Sequence, residues 1–232
     1  MHDESPLDNP AWSALTGPDA RVAERHGRAA RFDPAISVFT ALDDVTVDAT
    51  AAWDDVAALV GPGGVAVFPG SPLPAPPGWR VWLDLPGLQL VGDAFEPRED
   101  PEVVPLGAEH VDAMVDLVER TKPGPFTART HELGGYRGII RDGVLLAMAG
   151  ERMHPPGFTE ISAVCTDPSA RGQGLATRVM RAVAAGIADR GETPFLHVAT
   201  ENEAATRLYQ SLGFRVRRPI DFVGLYAPGP VV

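Results

Sequence analysis

From about residue 103 onward, apolar positions recur with periods that separate helices from strands. Between Gly107 and Thr121, Val111, Met114, Val115 and Val118 share one face at helical spacing. Pro123 and Pro125 in TKPGPF end that helix, because each lacks an amide proton and restricts the residue before it. Arg137–Ile140 and Val144–Glu151 read as a hairpin turned at Arg141-Asp142-Gly143, and Thr159–Thr166 as the next strand. From Leu175 to Ala188, the positions Leu175, Ala176, Val179, Met180, Val183 and Ile187 make an amphipathic helix that packs one face on a sheet. A short apolar strand Phe195–Ala199, a helix Asn202–Leu212 and a strand Phe214–Tyr226 follow, with Gly213 placed to end the helix at positive φ.

The first hundred residues carry a weaker pattern. It predicts helices over Asp19–Ala30 and Ala49–Leu59 and strands over Gly64–Phe68 and Arg80–Leu85, with connections at Gly61–Gly64 and Pro69–Gly78. Trp12, Trp53, Trp79 and Trp82 are expected to pack the core or a contact between regions. The acidic, proline-bearing stretch Glu96–Val103 is the candidate boundary, giving an N-terminal lobe of residues 1–98 and a second domain of residues 99–232.

Composition narrows the picture. With 44% hydrophobic and 22% charged residues over 232 positions, the chain is of ordinary globular type. Its single cysteine, Cys165, excludes a disulfide framework within the chain and a thiolate-rich metal site. Twenty Lys and Arg against 31 Asp and Glu give a net charge of −11, which argues against nucleic acid or an anionic membrane as partner. Eighteen consecutive apolar residues occur nowhere, and the opening MHDESPLDNP is acidic where a secretory leader is basic and then apolar, so a cytoplasmic monomer or homodimer is expected. Six histidines form no HExxH pattern, and no metal is expected.

Candidate chemistry concentrates in two runs. In AVCTDPSARGQGLA, Ala163–Ala176, a strand passes through a glycine-bearing turn directly into a helix. Gly172 and Gly174 permit close approach to a ligand, and free amides at the helix start suit a phosphate or pyrophosphate. The spacing is neither GxGxxG nor a Walker loop. In HVATENEAATRLYQSLGF, Asn202 and Tyr209 lie seven residues apart and so nearly on one helix face, where the phenol is either a general acid or an amphipathic core residue. Cys165 reads as a small buried strand residue, with no histidine at short spacing to act as its base.

RGQGLA resembles the R/QxxGxG/A signature of the GNAT acetyltransferase superfamily, and NEAATRLYQSLGF resembles the helix that follows it. Together with EISAVCTDP and PFLHV, the pattern is similar to the FR47-like branch over roughly Val103–Tyr226. The resemblance implies a mixed α/β fold, with a central, mostly antiparallel, splayed sheet flanked by helices and an added N-terminal lobe. It implies direct transfer of an acetyl group from acetyl-CoA to a primary amine on a small molecule, amino acid or peptide. A non-catalytic acyl-CoA-binding or regulatory module is the alternative. Carried over by position, Val164, Cys165 and Thr166 would meet the pantetheine arm, and Arg171, Gly172, Gln173, Gly174, Leu175 and Ala176 the pyrophosphate. Asn202 would contact the cofactor, and Tyr209 would protonate the departing thiolate. Glu160 is the first candidate base and Glu151 the second, while Phe126, Arg129, Thr130 and Tyr136 of the 124–136 connection, with His197, are candidate acceptor contacts.

Overall fold

A computed structural model describes residues 3–43, 49–70 and 74–230 of the chain. Residues 71–73 of the predicted Pro69–Gly78 connection lie outside the described residues. In chain order the elements are α1 (Pro10–Leu15), β1 (Ala23–His26), β2 (Ala29–Phe32), β3 (Thr40–Leu42), α2 (Ala49–Val60), β4 (Val65–Pro69), β5 (Arg80–Val91), β6 (Val103–Pro105), α3 (Val111–Thr121), β7 (Arg137–Arg141), β8 (Val144–Glu151), β9 (Phe158–Thr166), α4 (Leu175–Asp189), β10 (Thr193–Ala199), α5 (Glu203–Ser211) and β11 (Arg215–Tyr226). The fold is mixed α/β, and every element expected after residue 103 is present within a residue or two at most boundaries.

The helix expected over Asp19–Ala30 is instead the hairpin β1–β2, extended by β3 into a small antiparallel sheet. Its Ala and Arg content favours a helix, but Gly27 at φ 51° forms a two-residue turn whose Arg28 amide is held by the Asp55 carboxylate at 2.8 Å. The alternation then buries Ala30 and Phe32 in one core and Ala29 in another. Of the four tryptophans, Trp53 is buried with Trp79 packed on it at 4.9 Å, and Trp12 lies partly buried at the edge of a core. Trp82 does not pack inward; it remains 47% exposed beside Tyr226.

The main sheet runs β4-β11-β5-β10-β9-β8-β7-β6. All neighbours are antiparallel except β9 and β10. Strands from both sides of residue 98 interleave, since β5 lies between β10 and β11. One face is covered by α4, whose Val179, Met180, Val183 and Ile187 pack with Leu90, Ile161, Leu196 and Val198. On the opposite face the N-terminal elements bring Leu7, Phe32, Phe39 and Val67 against Val91, Phe158 and Phe195. Further along that face, α3 packs Met114 and Leu117 against Met148 and Cys165. The period of two along β10 therefore sends Leu196 and Val198 to the α4 side and Phe195 and His197 to the other. Among the described residues no helix is long and apolar enough to cross a membrane.

Candidate active site

β9 and β10 are paired only at Phe158–Thr193, Thr159–Pro194 and Glu160–Phe195. Beyond Glu160 and Phe195 the strands diverge, and a cavity of about 530 Å³ opens between them. Its walls include Ile161–Thr166 of β9 and Leu196–Ala199 of β10, so it passes through the sheet from the α4 side to the side of the N-terminal elements. At the mouth of the split β9 is irregular: Met148 pairs with Cys165 but Gly150 with Ser162, and Ala163 adopts φ 52°. Such a bulge turns backbone groups out of the ladder, and left-handed geometry at an alanine costs about 1–2 kcal/mol. Here the residues of the bulge, Ser162 to Cys165, line the cavity.

The end near α4 suits an anion and an extended arm. Gly174, at φ 71°, is the N-cap residue of α4 and supplies no side-chain cap, so the first helical amides keep their donors free. A Cβ built on Gly172 or Gly174 meets nothing within 4 Å, leaving an open cradle above those amides. Arg171 lines the cavity, and Gln173 is tied to Arg141 at 3.0 Å. Leu175 is buried beneath the turn, with Ala176 half-buried beside it. Thr166 presents a buried hydroxyl with no hydrogen-bond partner among the described residues, and Val164 and Cys165 line the same wall. Asn202 caps α5 by accepting from the Ala205 amide at 3.1 Å, and its residue also borders the cavity.

Tyr209, on α5, reaches the same cavity although only 9% of it is exposed. Its ring packs on Phe214, and its hydroxyl makes no hydrogen bond among the described residues. Burial pushes the phenol up to about 12, so it carries its proton at neutral pH. Burial also pushes the Cys165 thiol up to about 11, which keeps it from acting as a thiolate nucleophile.

At the opposite end, Glu160 is fully buried and does not line the cavity. It accepts a bidentate pair from Arg152, with Nε at 2.8 Å, and a further hydrogen bond from His197 Nδ1 at 2.7 Å. Burial alone would raise this carboxyl, but the Arg152 charge and the hydrogen bonds from Arg152 and His197 outweigh it and hold Glu160 at about 2. Arg152 and His197 do line the cavity. His197 Nε2 meets Gln89 Nε2 at 3.2 Å, and Gln89 is oriented by donating to Leu7 O and accepting from Arg217. That orientation makes Nε2 of His197 an acceptor and places the ring proton on Nδ1, facing Glu160. Arg152 stacks over Phe39 at 4.7 Å, and Phe222 lies 6.2 Å from Phe39 and 5.7 Å from His197.

The remaining candidates lie elsewhere. Glu151 is buried outside the cavity lining, where burial is outweighed by hydrogen bonds and charge from His154 and Arg190 that lower it. Phe126, Arg129, Thr130 and Tyr136 do not line the cavity either; of their connection only Gly124 and Pro125 do. Arg129 is paired with Asp33 and Glu132, and Thr130 donates to Ile36 O. Tyr136 is buried edge-on to Phe126. These side chains fasten the connection to the N-terminal elements and the α3 core. Arg152, Gln89, Phe39 and Phe222 carry no motif; the lone polar Gln89 inside the apolar run LQLV is the only local sign of a buried polar network there.

The sequence profile described as FR47-like protein matches residues 136–223. A crystal structure of an acetyltransferase from the GNAT family of Novosphingobium aromaticivorans is 40% identical, with a TM-score of 0.87 over 97% of this chain and 99% of that one. The N-alpha-acetyltransferase RimI of Mycobacterium tuberculosis is 34% identical over 100 residues, which are 40% of this chain and 62% of RimI. A mycothiol acetyltransferase of Brachybacterium faecium is 30% identical over 169 residues, 66% of this chain and 46% of that protein. The chain thus spans less than two thirds of the length of these curated relatives.

Proposed function

Because the chain belongs to the GNAT family of acetyltransferases, we propose that it transfers the acetyl group of acetyl-CoA directly to a primary amine. The observation that carries this reading is the cavity through the β9–β10 split, which runs from Arg171, just ahead of the uncapped start of α4, to the ion-paired Arg152 and His197 on the other face. When bound, acetyl-CoA supplies an acyl group already activated as a thioester.

The chain's own residues divide the work. The amides at the start of α4, with Arg171, hold the pyrophosphate. Backbone groups released by the bulge around Ala163, with Thr166, meet the amides of the pantetheine arm, and Asn202 adds a polar contact. Tyr209 donates a hydrogen bond from Oη to the departing sulfur and keeps its proton, while the amine nitrogen releases one proton to water and the thiolate takes one from it. Holding both reactants in one cavity removes the need for a covalent enzyme intermediate. Glu160 acts as a positioning residue that fixes Arg152 and His197 in the wall, since its carboxylate is already saturated. Glu201 is the one carboxylate among the described lining residues, and it is exposed beside Asn202. The amine therefore gives up its proton to water in the cavity.

We assign the N-terminal lobe the role of walling the acceptor side. A cytoplasmic setting belongs to the same proposal, because the lone cysteine needs no oxidising compartment. The test is a free-thiol release assay with acetyl-CoA and a broad amine panel, with products identified by mass spectrometry. Amine-dependent release with matching acetylated product is expected. Tight coenzyme A binding without transfer to any amine would replace this reading with a binding or regulatory module.

A further inference from the structure

The acceptor end of the cavity has a chemical character of its own. On the face away from α4, β5 and β11 pair Leu85 with Phe222, and Leu83 with Gly224, which pairs in turn with Val67 of β4. Phe39, Val67, Leu83, Leu85 and Phe222 therefore form one apolar wall, and all of them line the cavity. Arg152 stands against that wall with its guanidinium over the Phe39 ring. Its Nε and Nη2 are committed to Glu160, while Nη1 has no hydrogen-bond partner among the described residues. The remaining charged lining residues, Lys122 and Arg171, are cationic apart from the exposed Glu201.

Resting on the acetyl-transfer reading above, we propose that the acceptor is the α-amine of a residue with an apolar, preferably aromatic, side chain. Its own carbonyl or carboxylate accepts from Arg152 Nη1. Three physical constraints converge on this class. The apolar wall rewards a hydrocarbon side chain at roughly 25 cal/mol per Å² buried. Arg152 Nη1 is an open donor among the described residues, which favours an acceptor group on the substrate and disfavours a second cation beside it. Among the described residues no free carboxylate lines this end, which favours a nitrogen that loses its proton easily. An α-amine near pKa 8 is neutral far more often at pH 7.5 than a lysine-type amine near 10.4. Polyamines and lysine side chains fail the second and third constraints together.

The experiment separates acceptor binding from catalysis. L-phenylalanine amide, L-phenylalanine, phenethylamine and spermidine are titrated calorimetrically into the full chain, with and without saturating coenzyme A, and acetylation of each is followed in parallel. Phenylalanine amide is expected to bind at least tenfold more tightly than spermidine and about tenfold more tightly than phenethylamine, which lacks the carbonyl. Tighter binding of the free acid than of the amide would identify free amino acids as the source of the group; the reverse order identifies an N-terminal residue. Phe222→Ala should weaken phenylalanine amide about tenfold without changing coenzyme A affinity. Should that variant fold poorly, Leu83→Glu, on a half-buried position, should invert the preference toward spermidine. Spermidine binding as tightly as phenylalanine amide, equal binding of phenylalanine amide and phenethylamine, or no binding of any apolar amine overturns the proposal. Preferential binding of phenylalanine amide without acetylation would leave the pocket assignment standing and sink the transfer reading.

Discussion

Replacing Tyr209 with phenylalanine isolates one hydroxyl in a packed setting. The hydroxyl has no protein partner among the described residues and the ring stays against Phe214, so Tyr209→Phe should leave the fold and the affinity for acetyl-CoA nearly unchanged. The magnitude of the catalytic effect follows from acidity. With Tyr209 at about 12 and a thiol near 8.5, full proton transfer from phenol to thiolate is uphill by about 5 kcal/mol. Tyr209 therefore contributes chiefly as a hydrogen-bond donor to the sulfur as negative charge builds there. A hydrogen bond to a charged group is worth about 1.5–3 kcal/mol. At about 1.4 kcal/mol per tenfold, kcat should fall about ten- to a hundredfold with KM for acetyl-CoA within twofold. The assay is thiol release at saturating amine, with thermal unfolding run alongside to establish that the variant is folded. A kcat within twofold of the unaltered protein would refute the donor role. A loss beyond a thousandfold would refute the energetic argument by making Tyr209 a full acid.

Gly174→Val places a β-branched side chain at φ 71° in open space above the α4 amides, so acetyl-CoA affinity measured calorimetrically should drop at least tenfold; unchanged affinity would misplace the pyrophosphate. Glu160→Gln removes the counter-charge of a buried arginine, an effect of about 3–5 kcal/mol that should lower the thermal midpoint by about 10 °C, and an unchanged midpoint would show that the pair is not structural. His154 gives a pH signature: burial disfavours its charged form, but hydrogen bonds to Asp19 and Glu151 prevail and hold it up to about 9. Its folded value lies above the unfolded value near 6.5, so its contribution is complete below 6.5 and disappears as pH rises through about 9. Urea unfolding from pH 6 to 10 should show that decline, and His154→Gln should flatten it.

Legibility in the sequence followed the range of the interactions. The β9–turn–α4 unit, the β7–β8 hairpin and α5 with its Gly213 terminator are set by neighbours within a few residues, and at φ 104° a side chain on Gly213 would meet Ala94 O at 2.5 Å. The cofactor end inherits this locality, because Thr166, Arg171 and Gly174 lie within nine residues. The acceptor end does not. Phe39, Val67, Leu83, Arg152 and Phe222 come from five separate segments and meet only through sheet pairing and stacking. Its place on β9 singles out Glu160 as a candidate base, but the sequence does not name its partners Arg152 and His197, since alternation names a face and not what covers it. The polar and aromatic groups of the connection at 124–136 read as acceptor contacts in the sequence; in the structure Arg129 pairs with Asp33 and Thr130 donates to Ile36 O.

The interleaving of β11 between β4 and β5 also bears on how the molecule assembles. β5 pairs with β11 along nearly its whole length, from Arg80–Tyr226 to Val91–Arg215, and β10 takes its other edge. More than a hundred residues separate these partners, so β4 and β5 emerge during synthesis with unpaired strand edges and a bare apolar wall. The apolar wall proposed to select the acceptor is, until β11 arrives, a sticky surface. Folding should be slow for a chain of this size, dependent on the last strand, and vulnerable to aggregation when elongation stalls before residue 215.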